Sequence, residues 1–297
     1  YPVARSTPTI AGNLIYVYSS FGELLCIEDE TWEVKWKINV LDKFDGENIK
    51  WGVTECPLVD GEKIYITPGG KKNNLIALNR FTGELVWSSP GKGGTSAYCT
   101  PRLIELPERS LLVTHTADHV IGVDAKTGDL LWAHEHPNKY SVHANTPIYY
   151  DGGIFFMSGY GKGCGRLDLA EDGSSVSLAW YNEDLDGRMG GAVIIDGYVY
   201  ASGQTDRAWQ ALDWETGEQQ FASKAIGHGV IVAADDKLYC YSQRGELAMA
   251  KVNPKAFNIL SETRVQYGTA QHWAHPVIKD GVLYLRHGGA MVAYKIK

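Results

Sequence analysis

The sequence places long polar and aromatic side chains at the lead-in to each of a series of short strands: A-R-S-T-P, W-G-V-T-E-C-P, S-A-Y-C-T-P, S-V-H-A-N-T-P, G-R-M-G-G-A, G-H-G-V and Q-H-W-A-H-P. These segments carry Arg5, Trp51, Glu55, Tyr98, His143, Asn145, Arg188, His228, His272, Trp273 and His275. A guanidinium offers a fixed fork of donors to an anion or a carbonyl. An indole offers an apolar face, and an imidazole a directional hydrogen bond. With Arg5 and Arg188 as anchors, Trp51 and Trp273 as faces, and His143 and His275 as hydrogen-bonding groups, the set suits recognition of a small molecule or peptide. Two blander readings compete: a polar, water-filled channel, or an Arg5–Glu55 pair that joins neighbouring units.

Other chemistry is less well supported by spacing. His143, His228, His272 and His275 show neither H-x-E-x-H nor H-E-x-x-H spacing, and His272 and His275 lie three apart on an extended segment, which turns them to opposite sides; no metal site is expected. Cys26, Cys56, Cys99, Cys164 and Cys240 are far apart, odd in number and without C-x-x-C, so buried unpaired thiols are expected rather than zinc, haem or a disulfide framework. G-K-G-G (91–94) and G-Y-G-K-G-C-G (159–165) lack the G-x-x-x-x-G-K-[ST] frame of a phosphate loop and read as turns. Asn79, Asp124 and Asp213 recur at one repeat position, as turn-capping side chains do.

The elements that must position these residues are repeats. I-Y-V-Y-S-S-F-G-E-L-L (15–25) and L-Y-C-Y-S-Q-R-G-E-L-A (238–248) share a Y-x-Y-S-x-x-G-E-L frame at an offset of 223 residues. Each unit starts with a short strand, often at Thr-Pro, Cys-Pro or His-Pro (Thr7-Pro8, Cys56-Pro57, Thr100-Pro101, Thr146-Pro147, His275-Pro276). An Asp-Gly turn and an alternating apolar strand follow, as in Y-D-G-G-I-F-F-M-S (150–158), I-D-G-Y-V-Y-A-S (195–202) and K-D-G-V-L-Y-L-R (279–286); Asp-Gly between such runs marks a hairpin. A third strand, a Thr-Gly turn and a strand bearing an aromatic residue complete it: A-L-N-R-F-T-G-E-L-V-W (77–87), G-V-D-A-K-T-G-D-L-L-W (122–132) and A-L-D-W-E-T-G-E-Q-Q-F (211–221). Each unit is thus a four-stranded antiparallel sheet, and radial packing of such sheets gives a β-propeller. The expected domain is a single propeller over 1–297, with blades at 1–49, 50–94, 95–139, 140–186, 187–226, 227–269 and an incomplete 270–297. The ring is expected to need a further N-terminal piece to close, because a bare sheet edge invites aggregation.

Composition agrees with a globular all-β chain. Of the 297 residues, 44% are apolar and 11% aromatic, with 33 glycines for tight turns. A formal net charge of −7 argues against nucleic acid as partner, and no apolar run is long enough for a transmembrane helix.

The Ala-x-Asp/Asn-x-x-Thr-Gly-Glu/Asp/Lys-x-x-Trp pattern resembles the tryptophan-docking repeat of quinoprotein alcohol dehydrogenase-like (PQQ-like) propellers, over essentially the whole chain. R-S-T-P-T and W-G-V-T-E-C-P-L-V-D-G look like a bacterial cell-envelope branch of that group. The resemblance implies a seven- or eight-bladed ring, with Trp36, Trp87, Trp132, Trp180 and Phe221 docked between sheets; 253–261 shows no aromatic in register. It also implies a periplasmic or envelope location, and either of two activities. One is a non-catalytic module that binds an envelope protein, a peptide or a small molecule. The other is a quinoprotein-type oxidoreductase holding pyrroloquinoline quinone (PQQ) with Ca²⁺. Active members of the group carry a vicinal Cys-Cys ring and an oxygen-rich Ca²⁺ loop, and neither is found here, so no cofactor and no catalytic residue is expected.

Overall fold

The computed structural model describes residues 5–296; residues 1–4 and 297, the outermost parts of the expected domain, lie outside it. Its strands form seven successive antiparallel sheets, six of four strands and the last of three, each in simple up-and-down order. The sheets cover 9–39, 58–89, 102–135, 148–182, 192–223, 229–264 and 277–295. The one α-helix among the described residues is a single turn, Val40–Lys43, started by the Asn39 side chain, which accepts from the Leu41 and Asp42 amides.

Turn chemistry sets this order. Asp151-Gly152, Asp196-Gly197 and Asp280-Gly281 all have positive φ at both positions, the geometry of a type I′ hairpin turn. In the second, third and fifth sheets the turn between the third and fourth strands is closed by a side chain. Asn79 Oδ1 accepts from the Phe81 and Thr82 amides, Asp124 Oδ1 from Lys126 and Thr127, and Asp213 Oδ1 from Glu215 and Thr216. These side chains serve as turn caps, each with Oδ1 accepting two successive amides.

The chain forms two compact units. One runs up to Phe156 and includes Asp168–Ser177; the other comprises Met157–Leu167 and the chain from Leu178 onward. In the first, successive sheets pack face to face. Tyr16, Leu24 and Cys26 meet Ile64, Ile76 and Leu78, and Tyr65, Leu75 and Ala77 meet Leu112, Ile121 and Val123. In the second, Tyr200 and Ala211 pack with Ile231, Cys240 and Ala248, and Tyr239, Tyr241 and Leu247 with Leu283 and Leu285. Inner strands are therefore buried on both faces, and Gly153–Ser158, expected from its sequence to alternate, is instead buried at every position.

Three tryptophans tie their sheets to the turn of the next. The indole N–H of Trp36 donates to the Arg80 carbonyl, that of Trp87 to Ala125, and that of Trp180 to Trp214. Each ring also lies on the glycine of the turn it reaches: Gly83, Gly128 and Gly217, all at positive φ. Trp132 is buried but differs. It covers Gly122, its cross-strand partner in its own sheet, and its indole N–H has no acceptor among the described residues. The reason lies in the next turn, where Ala170 replaces the capping Asp or Asn and Gly173 is covered by Leu106 and Leu111. In the sixth sheet Ser261 stands opposite Met249, where the first, second, third and fifth sheets place Trp36, Trp87, Trp132 and Phe221. Phe257 compensates from the turn, stacking on Trp209 with ring centroids 6.0 Å apart and planes 1° apart, and packing on Phe221.

Candidate functional site: the strand lead-ins

The lead-in segments are joined to one another by short polar links. In the first unit, Thr9 Oγ1 donates to the Pro57 carbonyl, Thr54 Oγ1 to Tyr98, and Thr146 Oγ1 to Thr100, while the Cys56 amide donates to Thr100 Oγ1. Proline at the start of the strand has no N–H to offer, so the neighbouring threonine hydroxyl supplies the link.

Within the first unit the expected site residues divide by exposure. Trp51 is partly exposed, with the Lys50 ammonium over its ring at 5.1 Å, and its amide donates to Tyr98 Oη. Tyr98 is half-buried and held at φ 79°. Glu55, His143 and Asn145 are buried, so they line the interior and not an open surface. Both carboxylate oxygens of Glu55 are taken by Thr67: the amide donates at 2.8 Å and Oγ1 at 2.6 Å. Burial pushes the Glu55 carboxyl up to about 7, with the two Thr67 bonds opposing it. Arg5 is half-buried.

His143 belongs to a cluster that sequence reasoning did not find. Its ring stacks on His115 at 4.9 Å and 8°, and His136 lies 5.9 Å from His115 and 5.7 Å from His143. All three are buried. His143 Nε2 sits 2.9 Å from the Ala117 carbonyl, and Phe156 meets His136 edge-on. Neither ring nitrogen of His115 has a partner among the described residues. Burial first, then the neighbouring His143 and His136, hold His115 well below the usual imidazole range. Nearby, burial pushes the Cys99 thiol, bonded to Thr114 Oγ1, up to about 11. His115 ends one strand and His136 follows another, both ordinary in sequence; only the fold brings them together.

In the second unit, Arg188, His228, His272, Trp273 and His275 gather around the fifth, sixth and seventh sheets. The Arg188 guanidinium lies over the Trp273 ring at 5.7 Å, and Trp273 is 43% exposed. His275 Nε2 is 3.1 Å from the Met189 carbonyl. His272 stacks on His287 at 3.6 Å and bonds Tyr241 Oη through Nδ1. Burial is the first cause that lowers His228, His272 and His275. Asp186 holds this region together: Oδ1 accepts from the Gln204 and Thr205 amides, and Oδ2 from the Gly161 amide and Thr205 Oγ1. It is fully buried and fully occupied.

No group of three or more His, Cys, Asp or Glu among the described residues could hold a metal ion. The five cysteines are free, four of them buried and Cys56 half-buried. No helix of the described residues is long and apolar enough to cross a membrane.

Comparison with known proteins puts this architecture in context. The chain is 25% identical over 156 residues to the outer membrane protein assembly factor BamB of Kangiella koreensis, a match covering 52% of this chain and 35% of that protein. It therefore spans well under two thirds of that relative. The crystal structure of BamB from Moraxella catarrhalis is similar with a TM-score of 0.73 at 16% identity, over 97% of this chain and 81% of that one. The quinohemoprotein alcohol dehydrogenase from Comamonas testosteroni is similar with a TM-score of 0.62 at 13% identity, over 99% and 65%. These likenesses establish the β-propeller fold. The residues present do not fit the quinone and its metal: no cysteines are adjacent, both oxygens of the buried Asp186 are taken by the protein's own donors, and Asp124 and Asp213 cap turns. The family described as outer membrane protein assembly factor BamB matches residues 2–223. Three quarters of the chain thus carries that family's repeats, and the chain belongs to the BamB family of PQQ-like β-propellers.

Proposed function

We propose that this propeller is a non-catalytic binding module of the bacterial cell envelope whose partner is a protein. The observation that carries the reading is the match of residues 2–223 to the outer membrane protein assembly factor family. The site geometry supports it. General acid–base chemistry needs a carboxylate or imidazole within reach of a substrate proton. Here Glu55 and Asp186 are buried and bonded to Thr67 and to the 204–205 loop, whereas the side chains left in view are Trp51, Arg188 and Trp273, which suit recognition. Retention of a defined envelope protein on the immobilised chain, weakened by Trp273→Ala with unchanged thermal stability, is the expected result. Retention of none, together with stoichiometric PQQ uptake in the presence of Ca²⁺, would replace this reading by the oxidoreductase one.

A further inference from the structure

We propose that Arg188, Arg207 and Arg244 form, around His228, a binding site for a phosphate-type oxyanion. The backbone brings the three arginines to one place. His228 lies between Gly227 and Gly229. The Trp209 indole N–H donates to the Gly227 carbonyl, and Ser202 Oγ donates to the Gly229 carbonyl and accepts from its amide. These two contacts bracket the 203–208 loop that carries Arg207. The Gln243 amide donates to the His228 carbonyl, which sets Arg244 beside it. Gly190 packs against the Gly229 carbonyl and Gly187 against Ser202, which fixes Arg188 between them. The charges are felt at the centre: after burial, Arg207, Arg188 and Arg244 each disfavour a protonated His228, with Asp186 opposing.

In a chain of net charge −7, the nearest acidic influences on these cations are Asp186, which opposes them at His228, and Glu246, whose carboxyl Arg244 helps to lower after its bonds to Ser242 and Gly227. Among the described residues none of the three guanidinium groups has an ion-pair partner. The nearby acids are already engaged. Asp186 is bonded by four donors. Asp206 accepts from the Ala208 amide and Gln210 Nε2, and Glu246 accepts from Ser242 Oγ and the Gly227 amide. Arg188 Nε is buried without a partner, and a buried N–H left unmade is costly. Arg207 is held at φ 57°, a conformation that a non-glycine residue adopts at a cost and that occurs at binding sites. Three forks of donors exceed what one carboxylate can accept and match the oxygens and double charge of a phosphomonoester.

The site shares Arg188 with the recognition surface proposed above, but its test is independent of that reading, because anion binding is measured without any partner. The test is calorimetric titration of inorganic phosphate into the whole chain at low ionic strength. One saturable site is expected, weakened roughly tenfold or more by Arg207→Ala and by Arg244→Ala and unchanged by Lys279→Ala, with thermal unfolding confirming that each variant is folded. No saturable binding, or equal loss in Lys279→Ala, overturns the site. Flotation with phosphatidylglycerol vesicles separates the sources. Capture that inorganic phosphate competes away and Arg207→Ala abolishes supports a lipid headgroup, and phosphate binding without capture supports a soluble ester. Vesicle capture indifferent to Arg207→Ala and Arg244→Ala overturns the assignment.

Discussion

The Trp87 ring occupies the space that a Cβ on Gly128 would need, with the nearest ring carbon 2.6 Å from that position. The two residues belong to successive sheets, and the Trp87 indole N–H completes the contact by donating to Ala125 at 3.1 Å. Gly128 is at φ 82°, so it serves both as the left-handed turn residue and as the seat of the ring.

This pairing gives the first prediction. Trp87→Ala should destabilise by about 3–5 kcal/mol, the cost of a large aromatic deletion in a core. Gly128→Ala should cost about 2 kcal/mol or more through left-handed strain and overpacking. Because both remove one contact, the double variant should cost less than the sum. Urea unfolding followed by circular dichroism measures all three.

Trp32 offers the opposite case. It holds φ 61° at the turn position that Gly83, Gly128 and Gly217 fill elsewhere, and it is 71% exposed. Trp32→Gly should therefore stabilise by about 1 kcal/mol by relieving left-handed strain. An unchanged or lower urea midpoint would refute this.

Stability should depend on pH through two groups of opposite sign. Glu55 is raised in the fold from 4.5 to about 7. Its contribution is fully present below about pH 4.5 and is lost as pH rises through about 7, on the order of 3 kcal/mol. His115 is lowered from 6.5, so its contribution is present above about pH 6.5 and is lost as pH falls below that. Glu55→Gln should abolish the loss on raising pH from about 5 to 7, and His115→Leu should lessen the loss between pH 6.5 and 5. Some acid sensitivity should persist in the second variant, since His228, His272 and His275 are lowered too. Urea midpoints taken across pH 5–8 read both effects.

Phe257→Ala should destabilise by about 2 kcal/mol, because the ring stacks on Trp209 and packs on Phe221 while remaining only partly buried. Ser261→Ala, at the register position itself, should change stability by less than about 0.5 kcal/mol.

These residues also show what sequence makes visible. Asp-Gly and Thr-Gly turns are local, so Asp196-Gly197 and Asp213–Gly217 could be placed from neighbours alone, and with them the sheet order. Phe257 could not: it replaces a strand aromatic from within a turn, out of register. The Trp132 position was readable from its spacing, but its loss of the next-sheet partner depended on Ala170 in a turn of different composition. Of the expected site, the lead-in residues were legible as types. Burial of Glu55, His143 and Asn145, and the stack of His143 on His115, arise from contacts between segments far apart in sequence, which spacing does not encode.

The indole links all run one way along the chain: the acceptor of Trp36 lies 44 residues later, that of Trp87 38 later and that of Trp180 34 later. A ribosome makes the donor before the receiving turn exists. Each of these three sheets must therefore emerge with an undocked ring and wait for the next stretch of chain to be translated. Completion is vectorial, with each of these turns sealing the sheet before it, and a pause in synthesis between Trp87 and Gly128 would leave the Trp87 ring without its seat.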